Sequence, residues 1–235
     1  MELESAWNHG DYAKYSLEGQ RDRLQFIRKV YSILTLQVLL TVLFILLASF
    51  CEPYKNFLAL HSWVFIVSTI SAFVLLCVLY CFKSINRQTP YNYLLLTLFT
   101  LLKSISISGV CVFYDPLAVF LAAFCTFCLT FCLTVYACTT KNDFTLMRGL
   151  LIVLGLSVFI LFVLCIILGA SELYHYIYCP LAVALYGIYL VYDTQLIVGE
   201  KRHKLSYDDY ILGALMLYID IVGIFIHLLR LNRHK

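Results

Sequence analysis

Apolar residues run through this chain in long unbroken blocks separated by short clusters of charge, not in the alternating or one-faced patterns of a soluble fold. Seven stretches carry one charge or none, and each is long enough for the roughly 20 residues that a helix needs to cross a bilayer. They cover residues 30–51, 56–82, 91–114, 116–140, 149–171, 173–198 and 210–229. Continuous runs of this length predict helices; barrel strands would show about ten residues of alternation with polar lumen positions. Pro53, Pro90, Pro116 and Pro180 sit at or near the ends of these stretches, where a missing backbone donor costs least. The expectation is an all-α membrane protein, a seven-helix transmembrane bundle spanning 29–231, with a polar tail at 1–28 and a basic tail at 232–235. Composition agrees, since 62% of the 235 residues are hydrophobic and 13% charged, against about 25% charged in soluble domains.

The first 28 residues lack the apolar core and small-residue cleavage site of a secretory signal, so the first span reads as an uncleaved signal anchor. Basic residues orient it. Lys14, Arg21, Arg23, Arg28, Lys29, Lys83, Arg87, Lys141, Arg148, Lys201, Arg202 and Lys204 fall on one side, and Lys55 on the other. That bias predicts a cytosolic N-terminus. Seven full crossings put Arg230, Arg233 and Lys235 on the non-cytosolic side, against the same rule, and the alternative is six spans plus a re-entrant last helix. The net charge of +3 comes from loop residues and argues for orientation, not for nucleic-acid binding.

Three ionisable residues lie deep within the predicted spans: Lys103, Asp193 and Asp220. A charge at mid-bilayer costs about 2.5–3.5 kcal/mol on the insertion scale, so each needs a partner, a water cavity or a neutral state. A buried pair that only holds helices together is the plain alternative to function. If Asp193 and Asp220 meet, they share one proton and titrate as a coupled pair, a pH switch between the last two helices. A turn centred near Arg202 would leave Asp220 about eight residues deeper than Asp193, roughly 12 Å, so the contact needs a lopsided connection. Ser206 reads as the N-cap of the last helix, with Asp209 at the reciprocal capping-box position. Asp208 and Asp209 then cap that helix or form an ion vestibule. His227 follows Asp220 by seven residues on one helix face and reads as interfacial, near the membrane edge.

The block Tyr192-Asp193-Thr194-Gln195-Leu196-Ile197-Val198-Gly199, the basic Lys201-Arg202-His203, then Leu205-Ser206-Tyr207-Asp208-Asp209-Tyr210 and Leu217-Tyr218-Ile219-Asp220-Ile221 strongly resemble the transmembrane Bax-inhibitor-motif family, in its lifeguard branch. The segment from Phe26 to Gln37, Phe113-Tyr114-Asp115 and Lys141-Asn142-Asp143-Phe144 look like other parts of that family, so the similarity runs from about Phe26 to Leu231. The short N-terminal tail is more similar to the Golgi anti-apoptotic proteins than to lifeguards with long proline-rich tails, although Gly199 to His203 look like the latter. The resemblance implies a seven-helix protein of the Golgi or endoplasmic reticulum, with the plasma membrane as a further location. It also implies a pH-sensitive leak with calcium as permeant ion, no cofactor, and suppression of cell death. In that family the acids matching Asp193 and Asp220 hold the pore shut when protonated, and an acid matching Asp208 is linked to ion passage. Lys103 departs from the pattern, because the usual residue after Phe99-Thr100-Leu101-Leu102 is Glu. A cation there would oppose calcium or neutralise the aspartate pair. Lys103, Asp208, Asp209 and His227 are the pore or gating candidates.

Other readings are weaker. Cys125, Cys128 and Cys132 share a face of the fourth span, but thiols in an apolar helix without histidine or acid company make a poor zinc site, and no tightly bound metal is expected. A disulfide among Cys51, Cys111 and Cys179 on the non-cytosolic side is an open alternative. An intramembrane aspartyl protease would need a Gly-x-Gly-Asp pattern where residues 217–220 read Leu-Tyr-Ile-Asp, so no enzyme is expected. The true rival to a leak is a non-conducting scaffold whose helix faces bind Bcl-2-type proteins, calcium channels or a second copy of the chain within membrane lipid.

Overall fold

The charge-poor blocks form helices because a bilayer offers no water to backbone N–H and C=O groups, which must then be satisfied within each segment. The structure, a computed structural model, describes residues 9–82, 86–169, 171–199 and 201–232, except for the side chains of 9–18 and 171. Its long elements are α1 (His9–Phe50), α2 (Glu52–Leu60), α3 (Ser62–Cys81), α4 (Tyr91–Cys111), α5 (Pro116–Thr139), α6 (Arg148–Ile167), α7 (Cys179–Val198) and α8 (Tyr210–Leu231). Seven of these, all but α2, belong to helices long and apolar enough to span a membrane.

Three boundaries differ from the sequence expectation, each for a local reason. Residues 56–82 are not one span: the helix breaks at His61, and α2 lies between α1 and α3 with Pro53 in its first turn. The polar segment before residue 29 does not end the first helix. With no proline between His9 and Phe50, α1 continues for 42 residues, roughly 63 Å. Ahead of Pro180 the chain adopts a π-helical stretch, Tyr174–Tyr178, because a proline ring displaces the carbonyl four residues back and forces a wider register.

Helix α8 is the axis. Two-thirds of its most apolar stretch (67%) is buried inside the protein, against 11% for the span containing α6. It packs on α1, α4, α5 and α7, while α3 leans on α4 and α6 on α7. Large apolar side chains on α3, α5 and α6 remain exposed, as lipid-facing positions should.

The last helix crosses fully. Its first residue, Tyr210, accepts a hydrogen bond from Asn92 at the start of α4 (3.0 Å). Its other end brings Arg230 to Tyr174, on the connection between α6 and α7. Its 22 residues are long and apolar enough to span a membrane, as the seven-helix reading expects and a re-entrant last helix does not need. Lys83, Arg233 and Lys235 lie outside the described residues.

Polar residues inside the apolar bundle are paired across helices. Gln37 of α1 donates to Thr100 of α4 (2.9 Å), and Thr41 joins Ser104 (3.0 Å) and Tyr218 of α8 (2.8 Å). Thr69 of α3 meets Ser106 (2.7 Å), and Tyr54 of α2 meets Ser108 (2.9 Å). The serines of α4 are therefore the glue of this half of the bundle.

Candidate functional site

The connection between α7 and α8 positions the two membrane-buried aspartates. Gly199 ends α7 in the left-handed conformation (φ 74°) that favours glycine. The chain then folds back along α7, with Leu205 N–H donating to Leu196 C=O (3.0 Å). Arg23 of α1 fastens the fold-back: its guanidinium donates to the carbonyls of Val198 (3.1 Å), Leu205 (2.8 Å) and Leu196 (2.6 Å). Leu196 and Val198 lie at the negative end of α7, where the last carbonyls lack helical partners, so a cation is well placed there. A Cβ added at Gly199 would run into that guanidinium.

Neighbouring loops lock the same end. Gln195 donates to Asn142 C=O (3.0 Å) and accepts from Phe144 N–H (2.9 Å). Lys201 donates to the carbonyls of Thr140 (2.9 Å) and Lys141 (3.1 Å). Asp143 accepts from Thr145 Oγ1 (2.5 Å) and N–H (3.0 Å) and from Arg202 N–H (3.3 Å). The Thr145 hydroxyl, then the Arg202 and Thr145 amides and the Lys201 charge, hold the Asp143 carboxyl below its ordinary value.

The fold-back sets the register. Gly213 faces Ile197 and Gly223 faces Tyr186, so residue 193 lies opposite residues 216–217 of antiparallel α8. Asp220 is then three or four residues further along, about 5 Å. Side chains lean toward the N-terminus of their own helix, which in an antiparallel pair tilts the two carboxyls toward each other. The two carboxyls lie within side-chain interaction range of each other. Both residues are buried, at 6% and 4% exposure. Asp220 Oδ2 has no other hydrogen-bond partner among the described residues. The only ion pair there joins Arg87 to Asp209, so neither aspartate has a cation partner. A hydrogen bond between two carboxyl groups needs a proton on one of them.

Tyrosines surround the pair. The phenols of Tyr80 and Tyr189 lie within electrostatic reach of both carboxyls, and Tyr186 within reach of Asp220. Tyr186 also stacks on His227 (5.7 Å between ring centroids), whose other side meets Tyr178 edge-on (5.3 Å). His227 is thus buried (7% exposed), because α7 and the π-helical stretch cover the end of α8.

The remaining candidates do not join the pair. Lys103 sits on the face of α4 that carries Phe99, which meets Tyr218 of α8 edge-on. Asp220 is two residues past Tyr218, about 200° around α8, so the helix body stands between Lys103 and the aspartates. The expected neutralisation of the pair by Lys103 is therefore not what the geometry gives: the neighbouring charge Lys103 feels is Arg230. Asp208 is exposed on the α7–α8 loop. Asp209, not Ser206, is the N-cap of α8, and its carboxylate makes no capping bond. It pairs instead with Arg87 in a two-point contact (3.0 and 3.1 Å), because a guanidinium fork outcompetes backbone amides for a carboxylate.

Arg23, Gln195 and Arg230 escaped the sequence reading, although a glutamine inside an apolar run is a sign of a buried polar contact. All ten cysteines are free thiols, so Cys51, Cys111 and Cys179 form no disulfide; Cys179 is buried beside Cys165. Among the described residues no three His, Cys, Asp or Glu side chains converge on a metal site.

Comparison with known proteins gives a consistent picture. The family described as Inhibitor of apoptosis-promoting Bax1 matches residues 23–234. The chain is 36% identical to Protein lifeguard 3 of Homo sapiens over 217 residues, covering 91% of this chain and 70% of that protein. It is 32% identical to Protein lifeguard 4 of Mus musculus over 209 residues, covering 88% and 84%.

Proposed function

The chain belongs to the Bax inhibitor and lifeguard family of anti-apoptotic multi-pass membrane proteins, and on that footing we propose that it is a pH-sensitive cation leak. Calcium is the permeant ion, and the pair Asp193–Asp220 is the gate. One observation carries the reading: two buried carboxyls, brought by the α7–α8 register to within a helical turn of each other, with no cation partner among the described residues.

The chemistry follows from proton count. With one proton between them, the carboxyls tie α7 to α8 through a short charge-assisted bond. When the proton leaves, two negative charges face each other in low dielectric and the helices gain a reason to part. The same two charges then attract a divalent cation, supported by Asp220 Oδ2. The leak opens as pH rises and closes as it falls. Asp208, exposed beside the α7–α8 loop, is the vestibule acid on this reading, and Asp209 is its structural neighbour.

The basic residues of the α1 extension and the loops around 87, 141–148 and 201–204 put that end in the cytosol, with Lys55 and Arg230 across the membrane. A Golgi or endoplasmic reticulum membrane fits such a leak, which lowers stored calcium and so suppresses cell death. The test is calcium flux through purified protein in liposomes between about pH 6 and about pH 8. Wild type should conduct more at the higher pH, and Asp193→Asn and Asp220→Asn should each remove that dependence. Identical titration curves for all three proteins defeat the gate. No flux at any pH, with survival activity intact in cells, assigns the function to a non-conducting scaffold that binds Bcl-2-type proteins or calcium channels.

A further inference from the structure

Ser206-Tyr207-Asp208-Asp209 has the spacing of a capping box, yet Ser206 caps nothing: Asp209 is the N-cap of α8, and its carboxylate goes to Arg87. The serine is left outside the helix. It is exposed, as are Arg202, His203, Lys204, Tyr207 and Asp208 around it, and its hydroxyl makes no hydrogen bond among the described residues. The backbone on either side is held. Asp209 N–H donates to Ser206 C=O (3.1 Å), and Leu205 C=O, in the peptide group that joins Leu205 to Ser206, accepts from Arg23 (2.8 Å).

Arg23 therefore stands beside the free hydroxyl. Its guanidinium holds the peptide group before the serine and lies 5.8 Å from the centroid of the Tyr207 ring after it. All three of its hydrogen bonds go to neutral acceptors, the carbonyls of Leu196, Val198 and Leu205. A phosphate outcompetes such acceptors, because charge-assisted bonds are about twice as strong and two phosphate oxygens match the guanidinium fork.

We infer that Ser206 is a phosphorylation site whose phosphate takes the Arg23 guanidinium away from the end of α7. Asp208 and Asp209, two and three residues after the serine, suit a kinase that selects acidic surroundings. In the step, Ser206 Oγ attacks the γ-phosphorus of ATP, the bond to the β-phosphate oxygen breaks, ADP leaves and the hydroxyl proton passes to the kinase. The product carries about two negative charges. With Arg23 turned to the phosphate, the carbonyls of Leu196 and Val198 lose their cation, and the fold-back of residues 199–205 loosens. The modification thus acts on the connection that sets the register of Asp193 against Asp220. It rests on the cytosolic placement of this loop proposed above, and on nothing about conduction.

The test uses the full-length protein. Sealed microsomes that carry it receive a purified kinase of the casein kinase 2 type and ATP, with and without detergent, and mass spectrometry locates the phosphate. Sealed vesicles should yield phosphate on Ser206, and Ser206→Ala, which changes an exposed loop position, should take up none there. Hydrogen exchange over residues 199–205 is then compared in purified protein with and without the modification. Phosphate should speed exchange about tenfold in wild type, whereas Arg23→Met should exchange fast already and gain nothing further. No phosphate on Ser206 even in detergent overturns the site. Unchanged exchange in the phosphorylated wild type, or an equal gain in Arg23→Met, overturns the transfer of Arg23. Modification only after detergent puts the loop on the far side of the membrane, and the cytosolic placement fails with the proposal.

Discussion

Two pairs of like charges flank one helix and have different remedies. On the function proposed above, Asp193 and Asp220 are reconciled by one proton, which turns repulsion into a hydrogen bond without any group leaving its place. Lys103 and Arg230 differ from each other, because a guanidinium stays protonated at every pH a protein meets while a buried ammonium can give up its proton. Their repulsion is relieved by separation or by a neutral Lys103. On the function proposed above, the acidic pair answers to pH, with the body of α8 standing between it and Lys103.

The most severe way to break the contrast is to remove the shared proton. Asp220→Asn leaves an amide that donates to Asp193 without titrating, so the pH response of the leak should vanish while Tm holds or rises. A pH-dependent leak that survives the change means the proton sits elsewhere. Next in size is the clamp beneath the pair. Arg23→Met deletes three hydrogen bonds to the α7 end and its connection. Hydrogen bonds from a charged group contribute about 1.5–3 kcal/mol each, and partial exposure of Arg23 discounts the total to roughly 2–3 kcal/mol. Thermal unfolding should show the loss, and the pH midpoint of the leak should shift because the register of Asp193 against Asp220 depends on the fold-back. An unmoved midpoint would show that α7 and α8 hold their register without α1.

A smaller effect sharpens the insulation by α8. Lys103→Gln removes a charge but leaves the aspartates' surroundings intact, so the pH midpoint of the leak should stay within about 0.3 units of wild type. A larger shift would mean that the two pairs share a field despite standing on opposite sides of the helix.

The seven crossings were legible because the bilayer imposes one length and one solvent on every span. Asp193 and Asp220 were also legible, since an acid in an apolar run stands out against its cost. Their separation was not. A simple turn at Arg202 leaves them about 12 Å apart in depth, and only the fold-back of residues 199–205, invisible as periodicity, brings the register to within a helical turn. The surroundings of Lys103 were equally hidden, because spacing along α4 gives depth but not which side of α8 a residue meets. Ser206 looked like a cap because the motif is local; the distant Arg87 decided otherwise.

The smallest effect lies at the loop that supports the fold-back. Asp143 accepts from Thr145 and Arg202, and these bonds favour its ionised form. Its value in the folded chain is thus depressed below the ordinary 3.8. A group shifted in this direction contributes stability that is fully present above the unfolded value and is lost as pH falls through the folded one. At neutral pH, then, Asp143→Asn should lower Tm slightly, and the gap between variant and wild type should close below about pH 4. Because Asp143 is only half-buried in the loop and bonds to Thr145 and Arg202 rather than to either aspartate, the variant should leave the midpoint of the leak unchanged. A gap that persists in acid would mean the Asp143 side chain acts through its shape in the turn and not through its charge.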